Sequence, residues 1–240
     1  MNPTPIVVLL LAGFAARAAA QAPAPTISTD RPDFVESSQT VGRGRFQFET
    51  SVSRDATTWG SPTLLRYGIS ERVELRVETD GVQRTSHATG MADAALGVKW
   101  HVRRGVGVLV HADLPSGSPL FRGRGVRPSL RGVAEWALPA DFSLGMMPGV
   151  IYDEDDAGHR FVTGLFGVTL GHAWTDSFRT FVEYSAQALN ASAHGPDFIT
   201  YDAGAAFLLR RNWQMDGAVS FGSGSAPDVA FTFGLSALLP

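Results

Sequence analysis

Residues Arg72-Val73-Glu74-Leu75-Arg76-Val77-Glu78-Thr79 constrain this chain more than any other stretch. Even positions from 72 to 78 carry a charge, and odd positions carry an aliphatic or β-branched side chain. A period of two places successive side chains on opposite faces of a strand. One face is ionic and the other apolar, so the strand must separate a wet surface from a dry one. The pattern recurs down the chain, and no stretch of helical period is left over to cover the apolar faces. One sheet closed on itself satisfies it, with apolar side chains in lipid and polar ones around a lumen.

Twelve segments alternate in this way: 45–54, 62–68, 72–79, 93–102, 106–114, 127–138, 142–152, 161–174, 178–189, 198–209, 213–221 and 228–239. Most reach the ~9–11 residues that a tilted membrane strand needs. The connections alternate as well. Tight turns near Ser70, Arg103, Pro139, Thr175 and Arg211 are separated by longer links at 84–90, 115–126, 153–160, 190–197 and 222–227. Short periplasmic turns and longer external loops are the habit of outer-membrane barrels. Trp100, Trp136, Phe142, Trp174, Phe178 and Trp213 gather beside the short turns, where an interfacial girdle belongs. The expected fold is therefore all-β: an antiparallel up-and-down transmembrane β-barrel of about twelve strands over 45–240. Ten strands result if the short segment 62–68 is not one of them. An even count puts both chain ends on the periplasmic side. A soluble sandwich or propeller also alternates. It would not need an apolar face on every strand, nor the high glycine content found in them, in a chain with 26 glycines.

The chain start fits this location. Ile6 to Ala16 is a short apolar run, followed by Ala18-Ala19-Ala20, a small-residue cleavage site. We read 1–20 as a signal peptide and 21–44 as an N-terminal periplasmic leader. The place is the bacterial cell outer membrane, with its lipids and the barrel assembly machinery as partners. Charged residues are 18% and the net charge is −3, which gives no footing for nucleic acid. Cysteine is absent, which removes thiolate chemistry and disulfides.

The inward faces carry the candidate lumen residues. The basic ones are Arg45, Arg66, Arg72, Arg76, Lys99, Arg127, Arg131 and Arg179; Lys99 is the only lysine in the chain. The acidic ones are Glu49, Glu74, Glu78, Asp93, Asp113, Glu135, Glu183, Asp202 and Asp216. A strongly ion-selective pore has a ring of one sign. This mixture points to a narrow mixed-charge lumen, or to cross-strand ion pairs that brace a small barrel. The leader holds Asp30, Arg31 and Asp33 around Pro32, which biases Arg31 to extended backbone. We expect it to fold into the periplasmic mouth as a plug, with Asp30 or Asp33 pairing with a lumen arginine such as Arg72 or Arg179. The alternative is a solvated linker.

Other motifs are weaker. Asp153-Glu154-Asp155-Asp156 lacks the spacing and glycine of a calcium loop and reads as a solvated acidic tip. Arg122, Arg124 and Arg127 make another loop basic and can meet lipid phosphates. The histidines show no metal-ligand spacing, so no metal and no cofactor are expected. Ser86-His87, and Ser192 with His194, are the only local pairs for acyl-transfer chemistry. Neither sits in a nucleophile motif.

Thr29-Asp30-Arg31-Pro32-Asp33-Phe34 and Leu64-Leu65-Arg66-Tyr67-Gly68-Ile69-Ser70-Glu71-Arg72-Val73-Glu74-Leu75-Arg76 resemble the MetA-pathway of phenol degradation family. The resemblance implies an outer-membrane transporter for small, often aromatic, solutes, and no enzyme. A non-conducting structural or adhesive barrel and a lipid-modifying enzyme are the alternatives. Barrels of this kind commonly end on an aromatic residue, whereas this chain ends Leu238-Leu239-Pro240.

Overall fold

The computed structural model describes residues 26–155, 157–190 and 194–240. The signal expected at 1–20 lies outside them, as do Asp156 and Ser192. The strands are β1 (Phe46–Asp55), β2 (Trp59–Gly60), β3 (Thr63–Gly68), β4 (Val73–Thr79), β5 (Val82–Arg84), β6 (Thr89–Met91), β7 (Ala94–Arg103) and β8 (Val106–Leu114). They continue with β9 (Arg127–Ala137), β10 (Phe142–Glu154), β11 (Arg160–Ala173), β12 (Phe178–Leu189), β13 (Phe198–Arg210), β14 (Trp213–Gly224) and β15 (Val229–Leu239). Twelve of them pair antiparallel in chain order from β1 and β3 round to β15, and β15 pairs back onto β1. The barrel is closed. Its seam runs from Phe46 opposite Leu239 to Asp55 opposite Ala230, the whole of β1. The three remaining strands, β2, β5 and β6, extend the sheet on the external side of β1.

The expected twelve strands are all present. Thr63–Gly68 is short because the chain continues outward as β2 after a break at Ser61-Pro62. It still pairs on both sides, Tyr67 lying opposite Phe46 and opposite Leu75.

Side-chain exposure is the reverse of a soluble protein's. Leu75, Val77, Val98, Val110, Leu130, Phe231 and Phe233 are exposed. Glu49, Arg66, Glu74 and Lys99 are 0% exposed. The period of two therefore turns the charged face inward. The six aromatics beside the short turns are all exposed, as a rim in the membrane interface requires.

The leader, from Thr26 onward, lies inside the barrel. Ile27 N donates to Arg211 O at 2.7 Å, and Thr40 Oγ1 donates to Glu71 O at 2.9 Å. Gly44 N donates to Gly68 O at 2.8 Å. All three anchors are at short turns or strand ends on the periplasmic rim. Between them the chain rises into the lumen, turns over at Pro32–Phe34, and comes back. Gly42 and Gly44 have φ of +83° and +75°, and a Cβ at Gly68 would collide with the Gly42 carbonyl. The return bend needs that glycine pair and that close approach.

Candidate functional site: the occupied lumen

An irregular segment cannot satisfy its own backbone, so a buried one needs acceptors from its surroundings. The wall supplies carboxylates. Asp30 N donates to Glu49 at 3.0 Å, and Phe34 N and Val35 N donate to the two oxygens of Glu183 at 2.7 and 2.9 Å. Ser38 N donates to Glu135 at 2.7 Å and Val41 N to Glu74 at 2.9 Å. Four inward glutamates on four strands thus bind five leader amides through charge-assisted bonds.

The leader's own carboxylates meet the wall's cations. Asp30 Oδ2 lies 2.5 Å from Arg76, 2.6 Å from Lys99 and 3.4 Å from Arg66. Glu36 lies 2.7 Å from Arg76, 3.2 Å from Arg131 and 3.4 Å from Lys99. Arg66 also pairs with Glu49 and Glu74, at 3.0 and 2.8 Å. Burial alone would raise the Asp30 pKa. Arg66, Lys99 and Arg76 reverse this and hold the carboxyl well below the usual carboxylate range. Glu36 is likewise lowered, burial being outweighed by Arg76 and Lys99. Asp33 pairs with Arg179 at 3.2 Å in a more open position, and Arg31 reaches Asp216 at 4.0 Å.

Glu49, Arg66, Glu74, Arg76, Lys99, Arg131, Glu135, Arg179 and Glu183 therefore all touch the leader or its partners. The remaining expected lumen residues lie elsewhere or make other contacts. Arg72 is exposed in the Ile69–Arg72 turn, because β4 begins one residue later, and among the described residues it makes no ion pair with the leader. Arg45 sits at the mouth, its guanidinium 3.5 Å from Val41 O. Glu78 is half-exposed, 3.7 Å from His111. Arg127 and Asp113 pair with each other at 2.9 Å near the external loops, and Asp93 accepts from Gly117 N and Gly123 N.

The sequence reading missed Glu36, the apolar contact of Phe34 and Val35, and His111. Val35 packs with Leu109, Val133 and Met147, inward residues of β8, β9 and β10, and Phe34 lies against them. Glu36, Glu78 and His111 each bring a ligand atom within 4.8 Å of the others. A divalent ion there would face the three cations already on Glu36, so this is an ion-pair junction. Asp153 and Glu154 are engaged by Arg127 and Arg160, and Asp155 caps its own turn.

Two of the cavities that touch the leader lie at opposite ends of it. One of about 400 Å³ opens externally above Pro32, Asp33 and Phe34. The other, about 370 Å³, lies on the periplasmic side against Thr26–Thr29, Val35 and Glu36. Asp33 lines both. The mixed charge holds over the lumen but is unevenly distributed. The cavity of about 400 Å³ is lined by Asp33, Asp55, Asp80, Glu183 and Asp202 and by no basic side chain, while Arg31, Arg76 and Arg131 line a neighbouring cavity of about 230 Å³ and Arg127 and Arg131 another of about 310 Å³.

A closed twelve-stranded barrel with a lipid-facing apolar exterior and a polar lumen is an outer-membrane β-barrel. The chain belongs to the family described as "Putative MetA-pathway of phenol degradation", whose model matches residues 29–239. Its fold is similar to that of the COG4313 outer membrane channel from Pseudomonas putida F1, at 10% identity and a TM-score of 0.64, covering 84% of this chain and 97% of that one. It is also similar to the KdgM porin (13% identity, TM-score 0.56, 80% and 98% covered) and the NanC porin (9%, 0.54, 81% and 98%). No curated protein matches the chain.

Proposed function

We propose that this protein is a passive outer-membrane channel for small solutes, aromatic ones among them, and that its leader holds it shut from the periplasmic side. The observation that carries this is the leader's position between two cavities that share Asp33 as a lining residue. The strand wall leaves room for solute on both sides, and only an inserted segment with no strand pairing divides the space. In this reading Asp30, Arg31 and Asp33 are plug residues. Arg66, Arg76, Lys99, Arg131 and Arg179, with the four acceptor glutamates, are its receptor on the wall. The family name supports aromatic solutes, and the neighbours' names, channel and porin, support conduction over an enzymatic role. Residues 1–20 serve export, and Arg122 and Arg124 face lipid headgroups.

Single-channel recording in planar bilayers tests the reading. Deleting Thr26 to Phe34, with the signal kept, should raise conductance or open probability. Liposome swelling over a panel of aromatic acids, sugars and amino acids then ranks solutes. A deletion variant that folds and conducts as the parent does would show that the leader is no plug. A protein that never conducts in either form would be a structural or adhesive barrel.

A further inference from the structure

We propose that the lumen wall carries a binding site for small carboxylates with an apolar body, and that Val35-Glu36 of the leader fills this site in the resting chain. The inference rests on the reading of the leader as a displaceable plug.

The site is built by strand register. Leu109 lies opposite Lys99 on one side and opposite Arg131 on the other, and all three face the lumen. Directly opposed residues have Cβ atoms about 4.5–5.5 Å apart. Two cationic side chains therefore flank an apolar one. Val133, two residues along from Arg131, and Met147 on β10 continue the apolar surface, and Leu109, Val133 and Met147 are each no more than 2% exposed. Glycine makes the remaining room. A Cβ at Gly145 would lie 3.1 Å from Val35 Cγ1, so that wall position is open only because it has no side chain.

The leader shows what fits. The Val35 isopropyl group rests on Leu109, Val133 and Met147, and the Glu36 carboxylate meets Arg76, Arg131 and Lys99. An apolar body followed by a carboxylate is the chemistry of a short branched-chain or arylalkyl acid. Charge gives the same answer. With the leader withdrawn, Arg66, Arg76, Lys99 and Arg131 face only Glu49, Glu74 and Glu78. A buried excess of positive charge is unstable and calls for an anion. A cavity of about 230 Å³ already reaches this place, lined by Asp30 and Glu36 of the leader and by Arg76 and Arg131 of the wall, and the periplasmic cavity is lined by Val35 and Glu36. A ligand at this site takes the place of Val35-Glu36.

The test is equilibrium binding to the refolded full-length protein by isothermal titration, with 3-phenylpropionate as the probe. Acetate supplies the charge without the body, and benzyl alcohol supplies a body without the charge. The expected result is that 3-phenylpropionate binds at least tenfold tighter than either. Asp30→Asn, which loosens the leader, should tighten the apparent affinity at least tenfold, because affinity scales with the fraction of competent sites. Leu109→Ala and Arg131→Gln should each weaken binding in that background. Equal binding of the three compounds overturns the site. So does an Asp30→Asn affinity no better than the parent's. Conductance is read separately: probe binding without conduction would overturn the channel reading while leaving the site standing, and conduction without probe binding would do the reverse.

Discussion

Asp30→Asn is the sharpest perturbation of the closed state. The carboxylate is buried and accepts from Arg76 at 2.5 Å and from Lys99 at 2.6 Å, with Arg66 at 3.4 Å. An amide keeps one acceptor oxygen but no charge. Charge-assisted bonds are roughly twice as strong as neutral ones, about 1.5–3 kcal/mol each, so weakening two of them costs about 2–3 kcal/mol. Removing one member of a buried ion pair costs about 3–5 kcal/mol by measurement on other proteins. The two ranges meet near 3 kcal/mol. At about 1.4 kcal/mol per tenfold, the open-to-closed ratio should rise by about 100-fold. Asp33→Asn is the internal control. Its partner Arg179 is 35% exposed, and an open pair of that kind contributes about 0.2–1 kcal/mol, less than about fivefold. Open probability in planar bilayers at moderate salt reads both. Equal effects from the two variants, or an unchanged open probability in Asp30→Asn, would refute the view that the buried cation cluster holds the leader.

Three further outcomes are expected. Leu75→Arg places a charge on the lipid face and should lower folding stability in vesicles by about 2–4 kcal/mol, whereas Thr232→Arg, facing the external cavity, should change it little; Arg76→Leu, though also a lumen change, is no neutral control because it strands Asp30, Glu36 and Glu74. Asp30 and Glu36 lie in the leader, outside the spanning strands, with pKa values lowered on folding, so their contribution to seating is complete above the unfolded carboxylate pKa of about 4 and lost as pH falls through the lower folded values. The difference in open probability between the parent and Asp30→Asn isolates this contribution, and it should stay flat from pH 7 to about 5 and shrink only in stronger acid. Finally, the acidic lining of the external cavity favours cations, so changing Asp55 and Asp202 both to Asn should shift the open-channel reversal potential in a salt gradient toward chloride.

The barrel was legible because its signal is local. Alternation from Arg72 to Thr79 sets both faces of β4, and the tight turns mark the periplasmic rim without any knowledge of contacts. The plug was legible only in outline. Asp33 with Arg179 followed from strand position, but Arg72 was misplaced, since a strand that starts at Val73 leaves it in the turn. Glu36 and Val35 carried no pattern at all. Their partners lie on β4, β7, β8, β9 and β10, and which wall residues share a level depends on the stagger of pairing, which alternation does not encode. The uneven placement of charge was hidden for the same reason: a count of inward residues says nothing of which of them share a cavity.

The glycine bend that returns the leader to β1 has a kinetic and thermodynamic corollary. A segment joined to its receptor through Val41–Arg45 is never diluted. Short flexible tethers produce effective concentrations in the mM range. A solute with the same intrinsic affinity as Val35-Glu36 must therefore reach roughly mM levels before it displaces the leader from half of the molecules. Scarce compounds would leave the barrel shut, and only an abundant or better-fitting one would open it. Lengthening the chain between Gly42 and Phe46 would lower that threshold without altering a single contact in the lumen.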